Sequence, residues 1–268
     1  MEPKPTIWRL IPRLHGPGWV QMGVDEWLLD RHRQGNHPPA LRFYTWSHPT
    51  ISLGYHQRRY PQFWHGLQWQ GQPVSLVRRP TGGRGVLHGG DLTYAIVTSG
   101  IPGTRSQVYR RLCEFLSLGW RRLGLPLRFG DRDRSEYARR SSCFATATGA
   151  DLVTSEGAKF IGSAQLRRGK AVLQHGSMQL SPPRELFDRV FGVSPESVSL
   201  PAGLAGVAGE DFNSDAAIDA IVSTLIDAAR ECYDIEFELR PLSDEEWQEI
   251  DGKIEVLKSR FLEVRLSP

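Results

Sequence analysis

Cysteine is scarce. The 268 residues hold three, Cys113, Cys143 and Cys232, too few and too widely spaced for a disulfide framework or a zinc site, and an odd count leaves one unpaired. Reduced thiols are expected. Long apolar runs are missing, so no segment reads as a membrane span, and Met1-Glu2-Pro3-Lys4-Pro5 lacks the basic-then-apolar order of a secretory signal. The expected location is therefore cytoplasmic, without a membrane partner. Internal repeats, heptads and low-complexity tracts are also missing, which excludes solenoids and coiled coils. Charge of one sign is nearly absent too: 33 Lys and Arg oppose 30 Asp and Glu, a formal +3. That balance favours acidic partners but falls short of a nucleic-acid footprint.

What remains is an ordinary globular composition, 40% apolar and 24% charged. Trp19 to His32 places Val20, Val24, Trp27 and Leu28 at helical spacing, with Gly35 available as a stop. Leu41 to Tyr44, Thr50 to Leu53, Val74 to Arg78 and Leu92 to Thr98 read as strands. Ser106 to Leu123 puts Val108, Leu112, Phe115, Leu116 and Trp120 on one helical face, with Gly124 at the capping position. Three further strands, Leu152 to Thr154, Lys159 to Gln165 and Ala171 to Leu180, are joined by Glu156-Gly157 and Arg168-Gly169 turns, as in a meander. Pro182-Pro183 opens a short helix through Phe191, and Gly192 to Gly209 reads as a long connection. A helix from Ser214 to Tyr233, a strand from Ile235 to Leu239 and a last helix opened by the Ser243 to Glu246 capping box complete the chain. Adjacent strands with segregated helices predict an α+β fold, a mixed/antiparallel β-sheet packed with helices. Residues 1–191 form the expected catalytic core, and residues 192–268 a C-terminal helical region expected to belong to the same domain.

The most informative run is Arg78-Arg79-Pro80-Thr81-Gly82-Gly83-Arg84-Gly85-Val86-Leu87-His88. Three glycines among arginines let backbone amides approach an electron-rich ligand, a phosphate or a carbonyl, although a tight surface turn has the same composition. It matches neither a P-loop nor a dinucleotide fingerprint. Cys143 follows Arg139-Arg140-Ser141-Ser142, neighbours that favour the thiolate, whereas Cys113 and Cys232 lie in helical patterns as small buried hydrophobes. Read alone, Cys143 is either a nucleophile or an incidental loop cysteine. Lys159 opens an otherwise small and apolar strand. If buried near Cys143 it would stabilise the thiolate, and desolvation would lower its own pKa so that it could also accept a proton; otherwise it points to water from a strand end. Gln174-His175-Gly176-Ser177 breaks an apolar strand with polar groups, a sign of a bulge or of a close ligand. His88 and His175 are each structural or catalytic, and together form no metal pattern. Arg128 to Arg140 mixes both charge signs and reads as a solvated loop rather than a binding stripe.

Arg78 to His88 with Asp91-Leu92-Thr93-Tyr94, then Ser142-Cys143-Phe144, Lys159, Gly162-Ser163-Ala164-Gln165 and Gln174 to Ser177, resembles the lipoate ligase, octanoyltransferase and biotin ligase superfamily. Within it the chain is similar to cysteine-dependent octanoyltransferases of the LipM type, over most of its length as far as about Phe191. The resemblance implies a biotin/lipoate protein ligase-like catalytic domain with Cys143 as the acyl-thioester nucleophile and Lys159 as the lysine that lowers its pKa. It implies a substrate-binding set of Arg79, Thr81, Gly82, Gly83, Arg84 and His88, faced by Gly162, Ser163, Ala164, Gln165, His175 and Gly176. Arg84 stands where ATP-using lipoate ligases usually carry a third glycine, which disfavours adenylate chemistry.

On this resemblance octanoyl passes from acyl carrier protein, the acyl-donor substrate, to a lysine of a lipoyl-domain protein such as glycine-cleavage H protein or dehydrogenase E2. No cofactor and no metal are expected. A thiol with a pKa of about 8.5 is a few per cent thiolate at neutral pH, and a depression of about 1.5 units would ionise roughly half. Two rivals remain at this stage, an ATP-dependent lipoate or octanoate ligase and a non-catalytic module that binds acyl carrier or lipoyl domain.

Overall fold

The computed structural model describes residues 6–130, 151–193, 198–201, 212 and 214–266. Cys143 lies outside them. An eight-stranded mixed sheet organises the chain. Its first strand, β1 (Thr6–Gly16), pairs in parallel with β2 (Ala40–Trp46) on one side and β13 (Ile235–Leu239) on the other. From β2 inward the sheet is antiparallel, running through β8 (Asp91–Ser99), β12 (Ala171–Gln179) and β11 (Lys159–Arg168) to the short β10 (Leu152–Val153) and β9 (Arg128–Phe129). A second sheet of β6 (Ser75–Arg78), β3 (Thr50–Leu53) and β7 (Val86–His88) leans beside it, with the small hairpin β4 (Gln68–Trp69) and β5 (Gln72–Pro73) in the connection. This is the α+β arrangement expected from the sequence.

Period-two alternation divides the large sheet into two buried faces. Leu41, Phe43, Leu92, Tyr94, Ile96, Val172 and Met178 point to one side, where they meet α2 (Arg105–Arg111), α3 (Glu114–Arg122) and α5 (Asp215–Tyr233). Ala40, Tyr44, Trp46, Ala95, Val97, Ala171 and Leu173 point to the other, under α1 (Gly18–Arg33) and the last helix, α6 (Asp244–Leu266). The α1–α6 contact is close enough that a Cβ on Gly23 would lie 2.5 Å from Ile254. A third cluster joins the small sheet to α4 (Arg184–Phe191) through Trp64, Leu87, Leu186, Phe187 and Phe261.

The structure adds strands where the sequence reads as loop, β7 within the glycine-rich run and β9 at Arg128 and Phe129, the start of the stretch read as a solvated loop, and it differs further at β1 and at the helix before Gly124. β1 carries Arg9, Pro12, Arg13 and His15, which hide its alternation; a register shift between Ile11 and Leu14 accommodates the proline. The single helix expected from Ser106 to Leu123 is two, α2 and α3, meeting at Leu112 and Cys113. Two carbonyls there accept side-chain bonds, Tyr109 from the Gln174 amide (3.3 Å) and Leu112 from the Tyr233 hydroxyl (3.1 Å). Among the described residues no helix is long and apolar enough to cross a membrane.

Candidate active site

A cavity of about 310 Å³ opens between the centre of the large sheet and the small one. Met22, Tyr44, Trp46 and Val86 contribute apolar surface to its lining, and Arg105, Tyr109 and Asp151 contribute polar surface. Of the substrate-binding set singled out above, Arg79, Gly82, Gly83, His88, Gly162, Ser163, Ala164, Gln165, His175 and Gly176 all line it. Thr81 and Arg84 are not in its lining; the Thr81 hydroxyl meets His175 Nε2, and the Arg84 carbonyl accepts from Arg79.

The glycine-rich turn is held in shape by a buried arginine. Arg79 donates to the carbonyls of Ser52 (2.7 Å), Gly82 (2.8 Å) and Arg84 (2.7 Å), so one guanidinium fastens two points of the turn to β3. Gly83 has φ +97°, and a Cβ there would lie 2.7 Å from Arg79 Nη2. Gly54 packs closer still, its missing Cβ 1.9 Å from the Gly83 carbonyl oxygen. These two positions require glycine, one for conformation and one for approach.

Two aspartate–histidine–hydroxyl chains stand at the sheet side of the cavity. In the first, Asp91 accepts from His88 Nδ1 (2.8 Å), which leaves Nε2 to accept from the Ser52 hydroxyl (2.9 Å). Asp91 also accepts from Ser177 (2.6 Å), Thr93 (3.1 Å) and the Gly89 amide (2.9 Å). Burial pushes the Asp91 carboxyl up, but His88 and these donors outweigh it and hold the group below its usual range. Burial depresses the His88 imidazole below its usual range, against the pull of Asp91. Its face stacks on Trp46, centroids 3.8 Å apart.

In the second chain, Asp25 from α1 accepts from His175 Nδ1 (2.7 Å), and Nε2 accepts from the Thr81 hydroxyl (2.6 Å). The same carboxylate binds Arg42 Nε (2.9 Å) and the Tyr44 hydroxyl (3.1 Å), all fully buried. Burial and the adjoining Asp25 charge push the Tyr44 phenol well above its usual range. Asp25 thus ties α1, β2, β12 and the glycine turn to one another.

Lys159 is buried at the start of β11, and its Nζ lies 2.9 Å from Asp151 Oδ1. Asp151 itself lines the cavity. Cys113 has no path to reaction: burial pushes its thiol to about 12, and Gln174 donates to its sulfur. Cys232 is half-buried and raised by burial as well. Among the described residues no three His, Cys, Asp or Glu side chains gather as a metal site. The site residues named from sequence do not include Asp25, Asp151, Met22, Trp46 or Tyr109, which bring partners or walls from distant segments, although the Asp25-Glu26 helix and Leu41 to Trp46 also resemble the corresponding parts of the family. Asp25, an acid on an apolar helix face, was the one with a legible signal.

An α+β domain with a half-apolar cavity, a glycine-rich rim and a buried lysine beside it belongs to the class of acyl-handling ligase and transferase domains. The chain is a member of the Lipoyl protein ligase A/B catalytic domain family, whose model matches residues 17–226. It is 37% identical to the octanoyltransferase LipM of Geobacillus kaustophilus over 208 residues, 72% of each chain. Against the octanoyltransferase LipM of Bacillus subtilis it is 37% identical over 188 residues, 68% of each. Among solved structures it is similar to a lipoate-protein ligase A bound with ATP, with a TM-score of 0.70, 24% identity and 92% and 94% of the two chains covered. A bi-partite lipoate protein ligase from Thermoplasma acidophilum, determined with its E2 lipoyl domain, gives 0.67 and 22% over 93% and 92%.

Proposed function

We propose that this chain is an octanoyltransferase of lipoate biosynthesis, moving octanoyl from acyl carrier protein to a lipoyl-domain lysine by way of a thioester on Cys143. Its acyltransferase class rests on the octanoyltransferase relatives at 37% identity. The observation that carries the mechanism is the buried Lys159–Asp151 pair, whose Asp151 lines a cavity that also has Met22, Tyr44, Trp46 and Val86 in its lining. In this reading the alkyl chain packs on the apolar surface of Met22, Tyr44 and Trp46, and the carbonyl meets the glycine turn.

In the first step the Cys143 thiolate attacks the thioester carbonyl, the bond to the carrier sulfur breaks, and the carrier sulfur leaves as a thiolate that takes its proton from solvent. Backbone amides of the glycine turn support the oxyanion. One thioester replaces another, so the step is nearly balanced in energy. In the second step the neutral amine of the acceptor lysine attacks the acyl-enzyme, an amide forms, the surplus amine proton passes to solvent, and the Cys143 thiolate leaves. The amide is the more stable product and no ATP is consumed. The acceptor in this reading is a lipoyl domain of the kind carried by glycine-cleavage H protein or dehydrogenase E2.

Incubation with octanoyl carrier protein should add one octanoyl mass to the intact protein, and Cys143→Ala should abolish the adduct. An adduct that survives the substitution removes Cys143 from the mechanism. A requirement for ATP with free octanoate would instead mark a ligase, and lipoyl-domain binding without any turnover would mark a non-catalytic module.

A further inference from the structure

We infer that Ser52 and His88, oriented by Asp91, form a nucleophile–base pair that gives this chain a further activity, hydrolysis of medium-chain acyl thioesters and esters without Cys143. The inference rests on an acyl chain entering this cavity, and it gives a task to a serine that the transfer reaction leaves unused.

Ser52 on β3 and His88 on β7 lie on one face of the small sheet, because Thr50 is the cross-strand partner of His88 and Ser52 stands two residues further along. Both line the cavity. The Ser52 hydroxyl is 2.9 Å from His88 Nε2, and His88 Nδ1 is 2.8 Å from Asp91 Oδ2 at the start of β8. A hydrolytic site needs this order: a hydroxyl, a base, and a carboxylate that holds the ring in one tautomer. Trp46 fixes the ring plane, stacked at 15° with its own Nε1 bonded to Thr93 Oγ1 (3.0 Å). Arg79 Nη1 lies 3.2 Å from the Ser52 hydroxyl oxygen, so a cation stands beside the alkoxide as it forms.

The second aspartate–histidine–hydroxyl chain is built otherwise. Thr81 is absent from the cavity lining, and the Asp25 charge is already matched by Arg42 at 2.9 Å. Asp91, besides His88, accepts from Ser177, Thr93 and the Gly89 amide, all neutral donors. Its charge is therefore left to stabilise the imidazolium that forms when His88 takes a proton. Burial holds His88 below its usual range, which favours the unprotonated ring that a general base requires. Around the ring Asp91 favours the proton, while Arg79 and His175 oppose it.

Each step balances. Ser52 Oγ attacks the thioester carbonyl and its proton moves to His88 Nε2; the C–S bond breaks, and His88 returns the proton to the departing sulfur. Water then attacks the Ser52 ester and gives its proton to His88, the C–O bond breaks, Ser52 regains its hydrogen, and the carboxylic acid leaves. Because His88 serves both halves, the ester turns over and does not build up.

The test uses the full-length chain and an alkyl fluorophosphonate, which reacts with a base-activated serine and needs neither an acyl donor nor Cys143. Wild type and Cys143→Ala should each gain one phosphonyl mass on Ser52, located by peptide mapping, and Ser52→Ala should gain none. Cys143→Ala should also hydrolyse p-nitrophenyl octanoate, and adding Ser52→Ala should lower that rate by at least about 100-fold. In Asp91→Asn the rising limb of the pH–rate profile should move to lower pH, since the carboxylate that favours the ring's proton is gone. A wild type without a phosphonyl group on Ser52 overturns the inference even if a variant fails to fold. Hydrolysis that survives Ser52→Ala in a folded protein overturns it as well, and an unmoved limb removes Asp91 from it. Absence of labelling would leave the acyl-Cys143 experiment standing, and failure of the Cys143 adduct to form would leave the labelling result standing.

Discussion

At the scale of single residues the site depends on a few atoms that cannot be added or removed. A Cβ at Gly54 meets the backbone of Gly83, which has no flexible end to yield. Gly54→Ala should therefore displace the glycine turn, destabilise the protein by about 1–3 kcal/mol and lower octanoyl transfer more than stability alone explains; urea unfolding and a transfer assay check the two parts. Asp25→Asn leaves the Arg42 guanidinium buried without its charge partner. The expected loss is about 3–5 kcal/mol, the range for breaking a buried pair from one side, read from the same unfolding midpoint. Local residue type exposed the glycine turn, the Gly162 to Gln165 segment and His175 because small or polar residues interrupt apolar strands there. The partners of these groups were not legible, since nothing local to Asp25 or Asp151 names the residues 150 or eight positions away that they meet.

At the scale of elements, legibility followed the hydrophobic period. α4 and α5 stood out because their buried apolar residues recur at helical spacing, and the Ser243 capping box marks the start of α6 through reciprocal bonds with Glu246. β1 was hidden because its inward-facing Arg9 is a buried cation. Arg9 donates to both Glu246 oxygens and to His37 Nε2 (2.7 Å), while His37 Nδ1 donates to the Pro38 carbonyl (2.7 Å). That joint locks β1 to α6 and requires a neutral imidazole. Burial holds His37 below its usual range, so below about pH 6.5 the unfolded chain binds the extra proton first and stability falls on acidification. Glu246 is held low by Arg9 despite burial, and its share is lost only at more acidic pH. Urea midpoints between pH 7.5 and 5 should decline in the wild type, and His37→Asn should flatten the decline; equal slopes would discard this account.

At the scale of the whole molecule the last helix reaches the site without touching it. Ile250, Ile254 and Leu257 of α6 are buried against the face of α1 that also bears Met22 and Trp27. Each such side chain contributes about 1.5–3 kcal/mol, and α1 delivers Asp25 and Met22 to the cavity. Deletion of residues 244–268 should lower the melting temperature sharply and abolish acyl-enzyme formation together, measured by circular dichroism and intact mass. The strand order could not be read from the sequence, because the pairing of β1 with β13 joins segments more than 200 residues apart. The same pairing sets a schedule for biogenesis. As the chain leaves the ribosome, β2 can close one side of β1 early, but the other side has no native neighbour until residues 235–239 emerge. For nearly the whole of translation the nascent chain carries an open strand edge that invites intermolecular pairing, which makes its cellular yield a matter of chaperone supply and elongation rate as much as of final stability.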